Sequence, residues 1–206
     1  MAYKTLTRAT LVASLAVGAA FSASAADKPK LMMGADAAML ANTCAGCHGS
    51  NGSSMGPASP TIAGLSPTYF EETMAGFASG EIPSTIMGRI AKGYTEEEIK
   101  AIAKYYAGKP FNKGKQSFDA DLAAKGAKLH DKYCEKCHAD GGTSAEDDAG
   151  VLAGQWTPYL TWTMADFKAG DREATKKMKK KLSALLEREG NEGLNALINY
   201  YASQQQ

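Results

Sequence analysis

The chain has 206 residues, of which 44% are hydrophobic and 22% charged, and a formal net charge of +1. That composition is ordinary for a soluble globular protein, and the length allows one or two domains. The near-neutral balance is not basic enough to suggest nucleic acid as a partner.

Residues 1–26 read as a secretory signal peptide. Lys4 and Arg8 give a positive start, an apolar run covers Leu11 to Phe21, and Ala23-Ser24-Ala25 offers a small-residue cleavage site near Ala25/Ala26. The run is too short to span a bilayer; the other reading is an N-terminal anchor helix. No later stretch is long and apolar enough to cross a membrane, so the expected location is a bacterial periplasm. Cleavage would leave 21 basic against 22 acidic groups.

Further along, the pattern predicts helices without strands. A first helix runs from about Asp36 into Cys44, and a loop rich in Gly, Ser and Pro follows from Gly49 to Pro60. A second helix covers about Tyr69 to Ser79, and a third begins at Thr95, with Glu98 completing a capping box. That third helix presents Ile99, Ile102, Ala103 and Tyr106 at helical spacing. The segment from Gly108 to Asp119, broken by Pro110 and Gly114, reads as a linker. Beyond it a helix from about Asp121 enters Cys134, a loop spans Ala139 to Gly150, and helices follow at about Tyr159 to Ala169 and Glu173 to Glu189.

The four cysteines define the chemistry. Cys44-Ala45-Gly46-Cys47-His48 and Cys134-Glu135-Lys136-Cys137-His138 are each C-x-x-C-H, the attachment pattern for c-type haem. Two thiols add across the two vinyl groups of one haem, and the adjacent imidazole becomes the proximal iron ligand. Redox C-x-x-C pairs or two Cys2His zinc sites are the alternatives, and each zinc site would need a fourth ligand.

The two motifs lie 90 residues apart, and other residues recur at that offset. Ala63-Gly64 returns as Ala153-Gly154, Tyr69 as Tyr159, Thr73-Met74-Ala75 as Thr163-Met164-Ala165, and Gly80 as Gly170. Tyr105-Tyr106-Ala107 returns as Tyr200-Tyr201-Ala202 after a small insertion. The expected architecture is all-α, with two similar domains, each wrapped round one covalent haem: residues 27–108, a linker at 109–119, and residues 120–206.

A sixth iron ligand is open to argument. Methionine raises the potential and suits electron transfer. Met74 and Met164 sit mid-helix on apolar faces, where methionine is more often core packing. Met87 and Met178 lie 39 and 40 residues beyond their histidines, between the middle and last helices, where the chain can reach the far side of a haem. They are the preferred pair. His130 lies one turn before Cys134 and reads as a surface or packing residue. Pro57 could hold its loop so that a backbone carbonyl accepts a bond from His48, although a stiff turn would explain it equally well. The second repeat has no matching proline, so His138 needs another partner. Lys176, Lys177, Lys179, Lys180 and Lys181 surround Met178 as either a solvated helix face or a docking patch for an acidic redox partner.

The sequence resembles the dihaem cytochrome c subunit of flavocytochrome c sulfide dehydrogenase. The carrying segments are Gly56-Pro57-Ala58-Ser59-Pro60, Ser84 to Tyr94 around Met87, Gly126 to Tyr133, and Leu152 to Leu160 around Trp156, with the tail Tyr200 to Gln205. The resemblance implies two cytochrome c-like domains and a heterodimer with a flavoprotein subunit. That subunit would hold FAD and oxidise sulfide. Electrons would pass to the two haems here and then to a soluble acceptor such as a small cytochrome c. It implies Met87 and Met178 as distal ligands, and no catalytic residue on this chain. The alternatives are a free-standing dihaem carrier feeding a terminal oxidase, and a haem enzyme such as a peroxidase with an open iron.

Overall fold

The computed structural model describes residues 35–205. The expected signal peptide lies outside the described residues.

Short capped helices organise the first repeat. Asp36 accepts a bond from the Met39 N–H and starts α1 (Ala37–Asn42); α2 (Ala45–His48) follows at once and carries the first motif. Ser66 caps α3 (Pro67–Ser79), which has proline in its first turn, where the missing N–H costs nothing, and ends at Gly80 with φ +89°. The turn α4 (Met87–Ile90) leads to α5 (Glu96–Ala107). The Thr95–Glu98 capping box forms as expected, and Ile99, Ile102, Ala103 and Tyr106 make the buried face of α5. With Leu40, Phe70 and Met74 they build the first core.

The second repeat follows the same plan with a longer first and last helix. Asp119 caps α6 (Ala120–Tyr133), a turn α7 (Ala139–Gly142) lies beyond the motif, and α8 (Thr157–Ala169) ends at Gly170 with φ +83°. The last helical run, α9 (Lys176–Ser203), is continuous except at Gly190, whose φ of +62° and ψ of −158° break it. The sequence pattern placed that boundary correctly near Glu189. Leu129, Tyr133, Leu160, Leu185, Leu194 and Leu197 form the second core. No strand occurs among the described residues.

The duplication is visible in the backbone hydrogen bonds. Gly52 O accepts from Ile62 and Ala63 in the first repeat, and Gly142 O accepts from Leu152 and Ala153 in the second. Gly64 N donates to Tyr106 O at 2.8 Å, and Gly154 N donates to Tyr201 O at 2.8 Å. The repeated Gly and Tyr residues thus tie each loop to its own last helix.

Residues 35–205 lie in one compact unit, and the two repeats share a dense seam. Gln155, 2% exposed, accepts from Thr61 N and donates to Thr61 O, both at 2.9 Å. The Trp156 ring covers Gly56 and Gly114, and its Nε1 donates to Ser54 O at 3.2 Å. Val151, from the second repeat, is buried in the first core. The segment between the repeats is bonded to both: Asn112 donates to Ser53, Gly114 N to Gly154 O, and Gln116 to Gln155 O.

Candidate functional site

Each motif closes on itself through one helical turn. The His48 N–H donates to Cys44 O at 2.9 Å, and the His138 N–H donates to Cys134 O at 2.9 Å. That bond places both thiols and the imidazole on one short turn, which is why two residues between the cysteines suffice. None of the four cysteines is in a disulfide; Cys44 and Cys134 are half-buried, and Cys47 and Cys137 are exposed. Burial pushes the Cys44 and Cys134 thiols up, so both are protonated at neutral pH.

The two imidazoles are oriented alike. His48 Nδ1 lies 2.8 Å from Pro60 O, and His138 Nδ1 lies 3.2 Å from Gly150 O. A carbonyl can only accept, so Nδ1 carries the proton and Nε2 keeps its lone pair for a metal. In each ring burial is the main influence and lowers the pKa, keeping the ring neutral, while the carbonyl bond opposes it. The acceptor is in both cases the carbonyl twelve residues on. A backbone carbonyl of the Pro57 loop, that of Pro60, thus meets His48, and Gly150 answers the need for a partner in the second repeat. Pro57 itself follows Gly56 through a cis peptide, and Gly56 lies beneath the Trp156 ring.

The other predicted residues divide. Met87 opens α4 and packs against the first core, as Cys44 does. Met178 is half-buried in the first turn of α9, where its N–H donates to the Thr175 hydroxyl. Met74 is 6% exposed inside the first core, and Met164 packs against the second. Lys176, Lys177, Lys179, Lys180 and Lys181 are all exposed.

His130 is not a surface residue: it is 0% exposed. Its Nε2 lies 2.5 Å from Glu135 Oε2, and its Nδ1 lies 3.0 Å from the Tyr201 hydroxyl. The Glu135 carboxylate accepts from Nε2–H, and Nδ1 shares a hydrogen bond with the Tyr201 hydroxyl, whose pKa burial holds well above its ordinary value. Both ring nitrogens are thus used inside the protein. Tyr201 was legible as a repeated aromatic, but its partnership with His130 was not.

The donor set fits a c-type haem at each motif. Each motif offers two thiols, neither of them in a disulfide, and a neutral imidazole whose Nε2 is uncommitted. In the second repeat Tyr133, which precedes Cys134, has the one buried side-chain polar atom without a hydrogen-bond partner among the described residues. An unsatisfied buried hydroxyl beside the attachment turn is consistent with a polar group of a cofactor being its partner. No helix among the described residues is long and apolar enough to cross a membrane.

Comparison with known proteins gives the same assignment. The cytochrome c family model matches residues 34–107. The cytochrome subunit of sulfide dehydrogenase from Chlorobaculum tepidum is 50% identical over 68 residues, covering 33% of this chain and 61% of that protein. This chain therefore spans less than two thirds of that relative. Cytochrome c-553 of Nitratidesulfovibrio vulgaris is 34% identical over 103 residues, which cover 48% of this chain and 94% of that one. Among solved structures, reduced recombinant cytochrome c4 from Pseudomonas stutzeri superposes with a TM-score of 0.68 at 25% identity, over 82% of this chain and 98% of that chain. The all-α architecture of two tandem cytochrome c-like repeats matches that neighbour, and the chain belongs to the cytochrome c family.

Proposed function

We propose that this chain is the dihaem electron-transfer subunit of a periplasmic sulfide dehydrogenase. It would accept electrons from an FAD-bearing flavoprotein that oxidises sulfide and pass them to a soluble acceptor such as a small cytochrome c. The observation that carries the electron-transfer reading is the pair of matched motifs, each with its imidazole Nδ1 held by the carbonyl twelve residues on. The likeness to the Chlorobaculum tepidum subunit supports the sulfide partner.

When bound, each haem supplies a one-electron iron couple. Cys44 and Cys47 would hold the first through thioethers, and Cys134 and Cys137 the second. His48 and His138 would be proximal ligands, with Met87 and Met178 distal. The carbonyls of Pro60 and Gly150 fix the imidazole planes and keep the ligating nitrogen basic. The Tyr106 hydroxyl donates to Ala41 O at 2.6 Å, pinning the last helix of the first repeat to the helix before its motif. With a histidine and a methionine holding each iron, neither iron would be open to substrate. The haem domains would be residues 27–108 and 120–206, following a cleaved signal at 1–26.

The decisive experiment is a sulfide titration of the natively purified protein, following the haem bands and any co-eluting flavin-bearing chain. Rapid haem reduction that disappears once the flavoprotein is removed supports the subunit reading. A chain that purifies alone, inert to sulfide but reducible by small donors, is instead a free-standing dihaem carrier. The near-complete match to the cytochrome c4 chain favours that second reading. Met87→Leu and Met178→Leu are each expected to weaken a methionine–iron charge-transfer band. An unchanged band in either variant removes that residue as a ligand and reopens the peroxidase-like alternative.

A further inference from the structure

The two repeats differ where the candidate methionine meets the surface. In the first repeat the residue before Met87 and the residue three after it are Ile86 and Ile90, 57% and 39% exposed. In the second repeat the same positions around Met178 are Lys177 and Lys181, both exposed. One lip is apolar and the other cationic.

The cationic lip extends onto the attachment turn. Lys181 Nζ donates to Lys132 O at 3.2 Å, joining the start of α9 to the end of α6, and the Lys181 charge acts on the Cys134 thiol. Lys132, at the end of α6, and Lys136, inside the second motif next to Cys137, are both exposed, as is Cys137. Nearby acids do little to neutralise the patch. Glu173 is paired with Lys179 at 2.7 Å, and Glu135 is engaged with His130. Asp131 is exposed beside Lys132 and offsets one charge.

Lys176, Lys177 and Lys179, in the first turn of α9, stand where a helix disfavours them. The N-terminus of a helix carries partial positive charge and stabilises acids rather than bases. Helix α5 follows that preference with Glu96, Glu97 and Glu98 in its first turn, whereas α9 has no acid in its first turn and begins with lysines. The arrangement works against the stability of α9, so its benefit is sought outside the fold.

We infer that the lysine-bearing face of the second repeat, formed by Lys132, Lys136, Lys177, Lys180 and Lys181, is the docking surface for a soluble redox protein with an acidic face. One electron leaves the reduced chain there and reduces the oxidised centre of that partner. Because the exported chain as a whole is close to neutral, attraction would come from the local patch. Opposed local potentials raise encounter rates by tenfold or more at low salt. This rests on the electron-transfer reading but not on sulfide as the source.

The test uses the full holoprotein, reduced with dithionite and desalted, so its outcome is independent of any flavoprotein. The probe is oxidised plant plastocyanin, a blue-copper protein with an acidic face. Stopped-flow measures the second-order oxidation rate against ionic strength, and surface plasmon resonance measures binding to redox-silent, reduced plastocyanin. Lys177→Gln/Lys180→Gln is expected to lower the low-salt rate on the order of tenfold, weaken binding similarly and flatten the salt dependence. Lys132→Gln, on a different helix, is expected to act in the same direction with a smaller effect. Lys100→Gln/Lys104→Gln on α5 removes the same net charge and is expected to leave both readouts unchanged. If that control slows the reaction as much, or if Lys177→Gln/Lys180→Gln leaves rate and binding unchanged, the docking surface is refuted.

Discussion

At the scale of single residues, the second motif is set in a polar network that the first lacks. His130 lies between the Tyr201 hydroxyl and Glu135, and Glu135 also accepts from the Asp140 and Gly141 N–H groups at 3.0 and 3.2 Å. The His130 bond first, then the backbone bonds, hold the Glu135 carboxyl below its usual pKa. A carboxylate with a depressed folded-state pKa contributes stability above its unfolded value, and that contribution is lost as pH falls through the folded value. Glu135→Gln is therefore expected to lower the melting temperature at pH 7 by a few degrees, with the difference shrinking below about pH 4.5 and vanishing in stronger acid. Thermal melts of both proteins between pH 3 and 7 check this; a difference independent of pH would show that the carboxylate charge is not involved. Cys44, Cys47, His48 and their counterparts were legible because covalent chemistry fixes their spacing. Pro60 and Gly150 were not, because any carbonyl in a loop of the right length can serve, and only the folded loop selects the twelfth. Packing was one of the two readings of His130; its partner was hidden, since Tyr201 arrives on α9 from 71 residues away.

At the scale of elements, the two repeats spend glycine differently. Helices α6 and α9 cross closely because Gly126 has no side chain: a Cβ there would lie 2.0 Å from Ala196 O and 2.7 Å from Tyr200 Cβ. Neither neighbour is the free end of a flexible side chain, so the helices must part. Gly126→Ala is expected to destabilise the protein by about 3 kcal/mol, a fall in melting temperature on the order of 10 °C. Gly93→Ala is the matched control, because no atom lies within 4 Å of its Cβ position and its expected change is within about 0.5 kcal/mol. Equal losses in the two variants would mean that helix crossing is not what Gly126 serves. The elements themselves were largely readable in advance. Asp36, Ser66, Thr95 and Asp119 accept from backbone N–H groups at helix starts, and Gly80 and Gly170 end helices in the left-handed region. Such local signals survive in a chain read alone, whereas the crossing of α6 on α9 is a long-range match between surfaces.

At the scale of the whole molecule, the seam decides whether the repeats behave as one body. Each repeat has its own buried cluster, yet Gln155 reaches across to replace, for Thr61, the partners that a free loop would take from water. Thr61 is 1% exposed and follows Pro60, whose carbonyl orients His48; Gln155 lies five residues beyond Gly150, whose carbonyl orients His138. The seam therefore joins the two loops that aim the imidazoles, and a disturbance there reaches both motifs. Replacing Gln155 by leucine fills similar space but leaves the Thr61 N–H and C=O buried and unpaired, at about 1–3 kcal/mol for each unsatisfied group. With Trp156 still in place over Gly56, separation of the repeats would be partial. Gln155→Leu is expected to split a single calorimetric transition of the holoprotein into two, one for each core. The loss of coupling should also broaden the haem bands by freeing the orientation of both imidazoles. A variant that unfolds in one transition at an unchanged temperature would mean that the Gln155–Thr61 pair adds nothing to the union, and that the Trp156 contacts and buried Val151 hold the repeats together by packing alone.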